Sequence, residues 1–243
     1  MTTWSPLPDP ARKGKKEPME SRNQTFENLP GDKRERVLAE ATREFAEHGY
    51  HQASVNRMVQ RLGIAKGSLF KYFGSKQGIF EYLFGQTVAE FKKPLKAIRD
   101  DASGDLFERI ERTLLAGADF VATHPLVYSI YLKMVYQEGF PMRDTFLSEI
   151  RRASDKFLRT LVANAAESGQ LRPDIDPDMA VLHLDAVMDR FLQSCAVAAL
   201  NPGVATIPDR ATIRARARGV ADFLRHGLGG PLHQQSKEIQ CKS

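Results

Sequence analysis

Basic side chains without acidic neighbours distinguish one segment of this sequence, from His48 to Phe80. Its cationic residues are Arg57, Arg61, Lys66, Lys71 and Lys76. The segment contains no Asp or Glu, so its formal charge of +5 equals the net charge of all 243 residues. Runs of like charge are usually solvated surface. An acid-free run of this length instead favours a site that attracts a polyanion such as nucleic acid.

Catalytic and metal chemistry have less support. His183, Asp185 and Asp189 could hold a metal ion from one predicted helix, but a single histidine among carboxylates is usually structural or solvated. Cys195 and Cys241 form neither a close metal-ligand pair nor a disulfide framework. The sequence contains no Gly-rich phosphate loop, no HExxH helix and no nucleophile elbow. We therefore expect a protein that is not an enzyme and has no metal and no cofactor.

Two short helices are predicted to carry the basic residues. Ser54 is placed to cap the first helix, which Gly63 ends. After a tight connection, the second helix extends over Lys66–Phe73, where the lysines can face outward while the apolar residues reach the inner face. Gly74 and Ser75 then provide a stop and a cap for a longer helix. This arrangement is typical of a helix-turn-helix.

The rest of the chain has helical periodicity and no period-two alternation, which predicts an all-α fold. The helix after Ser75 should bend or end near Pro94, because proline lacks the backbone N–H. Further helices are predicted at 105–124, 125–137, 142–168, 177–199 and 209–226. No apolar stretch is long enough to span a bilayer and the N-terminus has no hydrophobic signal core, so we expect a cytoplasmic protein.

Four regions are predicted along the chain. Residues 1–30 contain five prolines and a basic cluster, and we expect them to form a flexible arm that could add contacts to DNA. Residues 31–80 would be a three-helix, helix-turn-helix DNA-binding domain. Residues 81–228 would be a larger helical domain, and residues 229–243 a polar tail.

The stretch from Val37 to Phe84 resembles the DNA-binding domain of the TetR/AcrR family of transcriptional repressors. The residues that carry the resemblance are Phe45, His48-Gly49-Tyr50, Ser54-Val55, Gly63-Ile64, Lys66-Gly67-Ser68-Leu69, Tyr72-Phe73, Ser75-Lys76 and Ile79. The resemblance implies a repressor that binds a pseudo-palindromic operator in double-stranded DNA as a dimer. A small-molecule effector bound to the C-terminal domain would release it from DNA.

The resemblance also implies which residues contact DNA. They are Ser54, Arg57, Lys66, Gly67, Ser68, Phe70, Lys71, Tyr72 and Lys76. Lys66, Ser68 and Lys71 would face base edges and the adjoining backbone, whereas Tyr72 and Lys76 would contact phosphate. This chain departs from the family pattern at three positions. Phe70 replaces a usual tyrosine, Val59 a common alanine and Arg57 an often acidic residue, so the operator sequence is expected to be its own.

For the C-terminal domain, the resemblance implies a small-molecule cavity among the helices and a homodimer formed by helices 177–199 and 209–226. The residues expected to line the cavity are Phe120, Tyr128, Tyr131, Met134, Phe157 and Met188. The apolar stripes on the dimer helices are Ala180, Leu184, Val187, Met188 and Phe191, and Ile213, Ala217, Val220 and Leu224. Such stripes more commonly face the protomer's own core. A second alternative for the whole chain is a helical adaptor, whose basic helices would bind a protein partner.

Overall fold

The structure, a computed structural model, describes residues 19–101, 103–137, 139–140, 142–201 and 206–230. These residues form ten α-helices, one 3-10 turn at Ala198–Leu200 and no β-strand, which confirms the all-α prediction. The helices are α1 Met19–Glu27, α2 Gly31–Gln52, α3 Val55–Leu62, α4 Lys66–Phe73, α5 Lys76–Asp100, α6 Leu106–Thr123, α7 Pro125–Tyr136, α8 Arg143–Glu167, α9 Pro177–Ala196 and α10 Arg210–Leu228. None of the helices in these ranges is long and apolar enough to cross a membrane.

Carboxylates cap three helices of the C-terminal half, α6, α9 and α10. Asp105 forms a capping box with Glu108: its side chain accepts hydrogen bonds from the backbone N–H groups of Phe107 and Glu108, and the Glu108 carboxylate accepts from the Asp105 N–H at 3.0 Å. Asp176 and Asp209 cap α9 and α10 in the same way, each accepting from a first-turn N–H at 2.8 Å. Each cap satisfies donors that a helix start leaves unpaired.

The structure differs from the sequence predictions at two places. Helix α5 does not end near Pro94 but continues to Asp100, and Leu95 and Ile98 beyond the proline pack against the apolar core. That packing offsets the backbone hydrogen bond that proline cannot make. The predicted flexible arm is also corrected over residues 19–30, because α1 lies there and buries the ring of Phe26 completely. The basic cluster at 12–16 lies outside the described residues.

The chain divides into two compact units. Among the described residues, the first unit contains 19–41 and 54–83, and the second contains 42–53 and those between 84 and 230. The first unit differs from the predicted region 31–80 in that it excludes residues 42–53 and extends to Leu83. Residues 42–53 belong to the second unit because their backbone and side chains contact it. Lys133 donates a hydrogen bond to the Ala46 carbonyl, and the His51 ring lies 2.7 Å from the Gly139 carbonyl oxygen.

Helix α6 is central to the second unit and packs against both α9 and α10. Phe107 and Ile110 on α6 are fully buried in the main apolar cluster. Residues 229 and 230, which we assigned to the tail, belong to the fold: both are buried, and the Gly230 N–H donates to the Gln170 carbonyl at 2.9 Å. Residues 231–243, with Cys241, lie outside the described residues.

Candidate nucleic-acid interface

The two short helices of the first unit are held by local caps and a shared apolar face. The Ser54 hydroxyl accepts a hydrogen bond from the Arg57 N–H at 3.4 Å, and Gly63 ends α3 in the left-handed conformation at φ 67°. Helix α3 packs against α4, with Met58 and Leu69 buried at their inner faces. The predicted helix-turn-helix elements are therefore present. The start of α3, with a hydroxyl cap and first-turn N–H groups, is a place that suits a phosphate.

Helix α4 separates its side chains into an inner and an outer set. On the inner face Leu69, Tyr72 and Phe73 are buried, whereas Lys66 and Lys71 are exposed on the outer face. Phe70 also lies outside, 38% exposed, with the Lys66 ammonium 5.7 Å from its ring centroid. This outer face, with Gly67 and Ser68, is a basic surface that has no acidic side chain on α3 or α4.

Of the residues predicted to contact DNA, Tyr72 is buried and Gly67 is exposed. Tyr72 is only 7% exposed, and its ring lies 5.7 Å from that of Phe26, so it packs in the core rather than on the outer face. Gly67 is exposed, and no described atom of another element lies within 4 Å of the position that a Cβ would take there. The backbone of α4 is therefore open to close approach by a ligand at Gly67.

The start of α5 fixes the end of α4. Ser75 caps α5 by accepting from the Gly78 N–H at 3.0 Å, and Gly78 lies so close to α4 that a Cβ would be 2.0 Å from the Phe73 carbonyl oxygen. Lys76 is in the first turn of α5. This contact sets where Lys76 lies relative to the outer face of α4.

In the second unit, the candidate effector residues do not all lie together. Tyr128, Tyr131, Phe157 and Met188 belong to one apolar cluster. Phe120 instead packs on Phe91 and His124, and Met134 is buried outside that cluster.

The tyrosines adjoin a polar cluster formed by α7, α8 and α9. The Arg151 guanidinium donates to Asp185 at 2.8 Å and to the Tyr131 hydroxyl at 3.3 Å, and the Tyr131 hydroxyl donates to Asp189 at 3.3 Å. Gln193 donates to Asp189 at 2.8 Å. Asp185 and Asp189 are therefore partners of arginine, tyrosine and glutamine, and no metal-binding group of three or more ligands occurs in the described part of the chain.

The Tyr128 hydroxyl is buried next to this cluster and has no hydrogen-bond partner among the described residues. Burial raises the pKa of the Tyr131 phenol to about 12, and the nearby Asp189 carboxylate contributes to the same shift. The same two causes raise the pKa of Tyr128 above its ordinary range. Both phenols are therefore neutral at physiological pH and keep a hydroxyl hydrogen to donate.

The apolar stripes predicted as dimer surfaces point inward. Ala180 and Leu184 on α9 and Ala217 on α10 are fully buried in the core of their own protomer, so the stripes pack mainly against that core. The exposed apolar side chains of the two helices are others: Met179 is 45%, Leu182 57% and Phe223 74% exposed.

Sequence reasoning missed two groups of residues. Arg151 is 34 residues from Asp185 in sequence, and neither residue type alone indicates a pair. Phe26 lies in a segment whose composition predicted a flexible arm. Its aromatic side chain is the sequence signal that could have indicated its burial.

Comparisons with known proteins agree with this architecture. Residues 37–83 match the model of the family described as bacterial regulatory proteins, tetR family. The chain is 26% identical over 180 residues to the HTH-type transcriptional repressor AcnR of Corynebacterium efficiens, an alignment covering 74% of this chain and 90% of that protein.

Solved structures show the same fold. A TetR family transcriptional regulator from Chloroflexus aurantiacus superimposes with a TM-score of 0.65 at 27% identity, covering 85% of this chain and 97% of that one. The transcriptional regulator FadR of Bacillus subtilis, solved in complex with stearoyl-CoA, gives a TM-score of 0.63 at 17% identity, over 79% and 98% of the two chains.

Proposed function

Because this chain is a member of the TetR family of bacterial regulatory proteins, we propose that it is a ligand-responsive repressor that binds a pseudo-palindromic operator as a homodimer. Its homologues are transcriptional regulators and not enzymes. The observation that carries the proposal is the exposed, acid-free basic face of α4 beside the capped start of α3. Since its partner would be chromosomal DNA, the protein would act in the cytoplasm.

On DNA, we assign the outer face of α4 to the major groove. Lys66, Ser68 and Lys71 would contact base edges and the adjoining backbone, and Gly67 would let the helix backbone approach closely. Phe70 would make apolar contacts there. The remaining contacts would be to phosphate, from Ser54, Arg57 and Lys76. Tyr72 is assigned to packing because of its low exposure.

Dimerisation would use α9 and α10 through their outward faces. Leu182 and Phe223 are apolar side chains that a monomer leaves in water. Gly219 lies four residues before Phe223, and no described atom of another element is within 4 Å of the position that a Cβ would take there. A second helix could therefore approach α10 closely at Gly219. A two-fold dimer would present two α4 helices to the two halves of the operator.

The effector would bind at the polar cluster of the second unit, next to Tyr128 and Tyr131. The support is the Tyr128 hydroxyl, since a buried hydroxyl without a partner is costly and a ligand atom could accept its hydrogen. Binding would release DNA by favouring a conformer whose two α4 helices no longer match the operator. The coupling would be limited to the difference in effector affinity between conformers, typically about 1–3 kcal/mol.

DNA binding is tested by fluorescence anisotropy with the duplex upstream of the protein's own gene, titrated at several salt concentrations. We expect the logarithm of the association constant to fall linearly with the logarithm of salt concentration. A scrambled duplex of equal length is the control and should bind more weakly. A folded protein that binds no duplex in a salt-dependent way would contradict the proposal and favour the adaptor alternative.

A further inference from the structure

Helix α1 lies outside the segment that matches the family model, which begins at residue 37, yet it packs against the proposed recognition helix α4. Its anchor is Phe26, whose side chain is fully buried. The Phe26 ring centroid lies 4.7 Å from that of Phe73, 5.7 Å from that of Tyr72 and 5.3 Å from that of Tyr82. Phe26 therefore contacts two residues of α4 and one of α5.

The end of α1 is also tied to the next helix. The Arg34 guanidinium donates a hydrogen bond to the Glu27 carbonyl, and the backbone N–H of Leu29 donates to the Phe26 carbonyl at 3.0 Å. The Pro30 carbonyl accepts hydrogen bonds from the N–H groups of Lys33 and Arg34 near the start of α2. The position of Phe26 is thus fixed by hydrogen bonds to the backbone at the end of α1 as well as by the rings around its side chain.

Helix α4 needs such support. It has eight residues, and the residue before it, Ala65, offers no side-chain cap. A helix of two turns is not stable by itself, so packing must fix its position. On its inner face, Leu69 is buried in the helix-turn-helix core, and the rings of Tyr72 and Phe73 pack against Phe26. The orientation of the outer face thus depends on α1.

We propose that Phe26 is a positioning residue for sequence recognition: from α1, it fixes the orientation in which α4 presents Lys66, Ser68 and Lys71 to the base edges. The inference rests on the proposed function. It predicts that loss of Phe26 lowers sequence specificity more than overall affinity for DNA. Phosphate contacts from Ser54, Arg57 and Lys76 lie on α3 and α5, so they survive a small rotation of α4, whereas base contacts require an accurate fit.

The experiment uses the full-length protein and two duplexes: one that the wild-type protein selects from a random-sequence library, and a scrambled duplex of equal length. Replacing Phe26→Ala should weaken binding to the selected duplex by about tenfold or more, while binding to the scrambled duplex changes by less than about twofold. The slope of affinity against salt should stay the same, because phosphate contacts are retained.

Two further variants keep the outcome interpretable. Phe26→Leu keeps much of the apolar volume but loses the ring contacts, so it should reduce the specificity ratio severalfold, less than Phe26→Ala does. Gln24→Ala, at an exposed position on the same helix, should behave as wild type. If Phe26→Ala has lost its helical circular dichroism signal at the assay temperature, the test uses Phe26→Leu instead. A severalfold reduction in the ratio of specific to non-specific affinity of Phe26→Leu, relative to wild type, then supports the inference.

A folded Phe26→Ala variant with the specificity ratio of wild type overturns the inference but leaves DNA binding in place, and so does a wild-type ratio in Phe26→Leu where Phe26→Ala is unfolded. Equal losses on both duplexes from a folded Phe26→Ala variant also overturn it, because they indicate a general structural role. If the wild-type protein selects no duplex at all, it is the proposed function that fails.

Discussion

Single residues on α4 divide between holding the fold and facing outward. Tyr72 and Phe73 are buried, while the preceding residues Phe70 and Lys71 are exposed. The family pattern treats Tyr72 as a phosphate contact, but its ring is in the core of the first unit. The exposed residues of α4 are therefore the candidates for contacts with DNA, whereas its buried residues stabilise the fold.

Lys71 and Lys76 should differ in what their loss removes. Lys71→Ala should relax base preference at one operator position, with about 1–3 kcal/mol of discrimination lost there. Lys76→Ala should weaken all duplexes alike and reduce the salt slope by about 0.9 for each lost phosphate contact, hence about 1.8 for a dimer. Both effects are measured by anisotropy on single-base operator variants at several salt concentrations.

Lys96→Ala is the matched control for these lysines. It removes the same charge from an exposed position near the other end of α5, in the part of that helix that belongs to the second unit. It should leave affinity and slope nearly unchanged. If Lys71→Ala and Lys76→Ala also leave affinity intact, the assignment of the DNA site is wrong.

The buried hydroxyl of Tyr128 should lower the free energy of unfolding. Tyr128→Phe removes a buried hydroxyl with no described partner, so the free energy of unfolding should rise by about 1 kcal/mol. Tyr131→Phe is the control: its hydroxyl bonds to Arg151 and Asp189, so its loss should lower stability by about 1 kcal/mol. Urea unfolding of the effector-free protein measures both changes. A less stable Tyr128→Phe protein would show that the hydroxyl has a partner.

At the scale of elements, α4 is held by its neighbours more than by its own sequence. Phe26 from α1, Leu69 toward α3, and the close contact with α5 at Gly78 all fix a helix of only eight residues. The helices α6 and α9 of the second unit are instead long and capped by carboxylates. A short helix held by several neighbours is sensitive to changes in any of them.

Gly78 is the contact between α4 and α5 that leaves no room for a side chain. Gly78→Ala places a Cβ 2.0 Å from the Phe73 carbonyl oxygen, a backbone atom, so the helices must separate. We expect the free energy of unfolding to fall by about 1–3 kcal/mol. Gly67→Ala on α4 meets open space and should be neutral or stabilising by up to about 1 kcal/mol. Thermal unfolding compares the two; equal effects would contradict the close contact.

At the scale of the whole molecule, the proposed function depends on a second copy of the chain. Helices α9 and α10 bury the stripes that the sequence offered as an interface, and they leave Leu182 and Phe223 exposed. Burying exposed apolar area of this kind is a main contribution to stable homodimers. The proposed interface is thus on the opposite faces of the predicted helices.

Phe223 is the residue with which dimerisation is tested. Phe223→Asp places a charge in the proposed interface, and sedimentation velocity should show a monomer where the wild type is a dimer. Operator affinity should then fall by at least about a hundredfold, because each half-site is bound separately. Leu126→Asp, at an apolar α7 residue that is 43% exposed, should remain dimeric. A dimeric Phe223→Asp protein would place the interface elsewhere.

The sequence predicted most of the local structure correctly, and its errors share a cause. Ser54 caps α3 as expected, and α6 and α9 begin close to their predicted starts, because a cap depends on residues two or three positions away. Helix α1 was missed, and the sequence did not decide whether α5 continues past Pro94, because both depend on packing against distant residues. Within the candidate site, the basic residues of α4 were identifiable, whereas the polar partners of Tyr131 were not.

The sequence by itself therefore determined the all-α class, the helix-turn-helix elements and the basic face, since periodicity, caps and charge are properties of neighbouring residues. Only the tertiary structure decided which apolar stripe faces the core, which tyrosine lacks a described partner and how α1 supports α4. An apolar stripe has the same spacing whether it meets its own protomer or another. A contact such as Arg151 with Asp185 exists only once α8 and α9 are packed together.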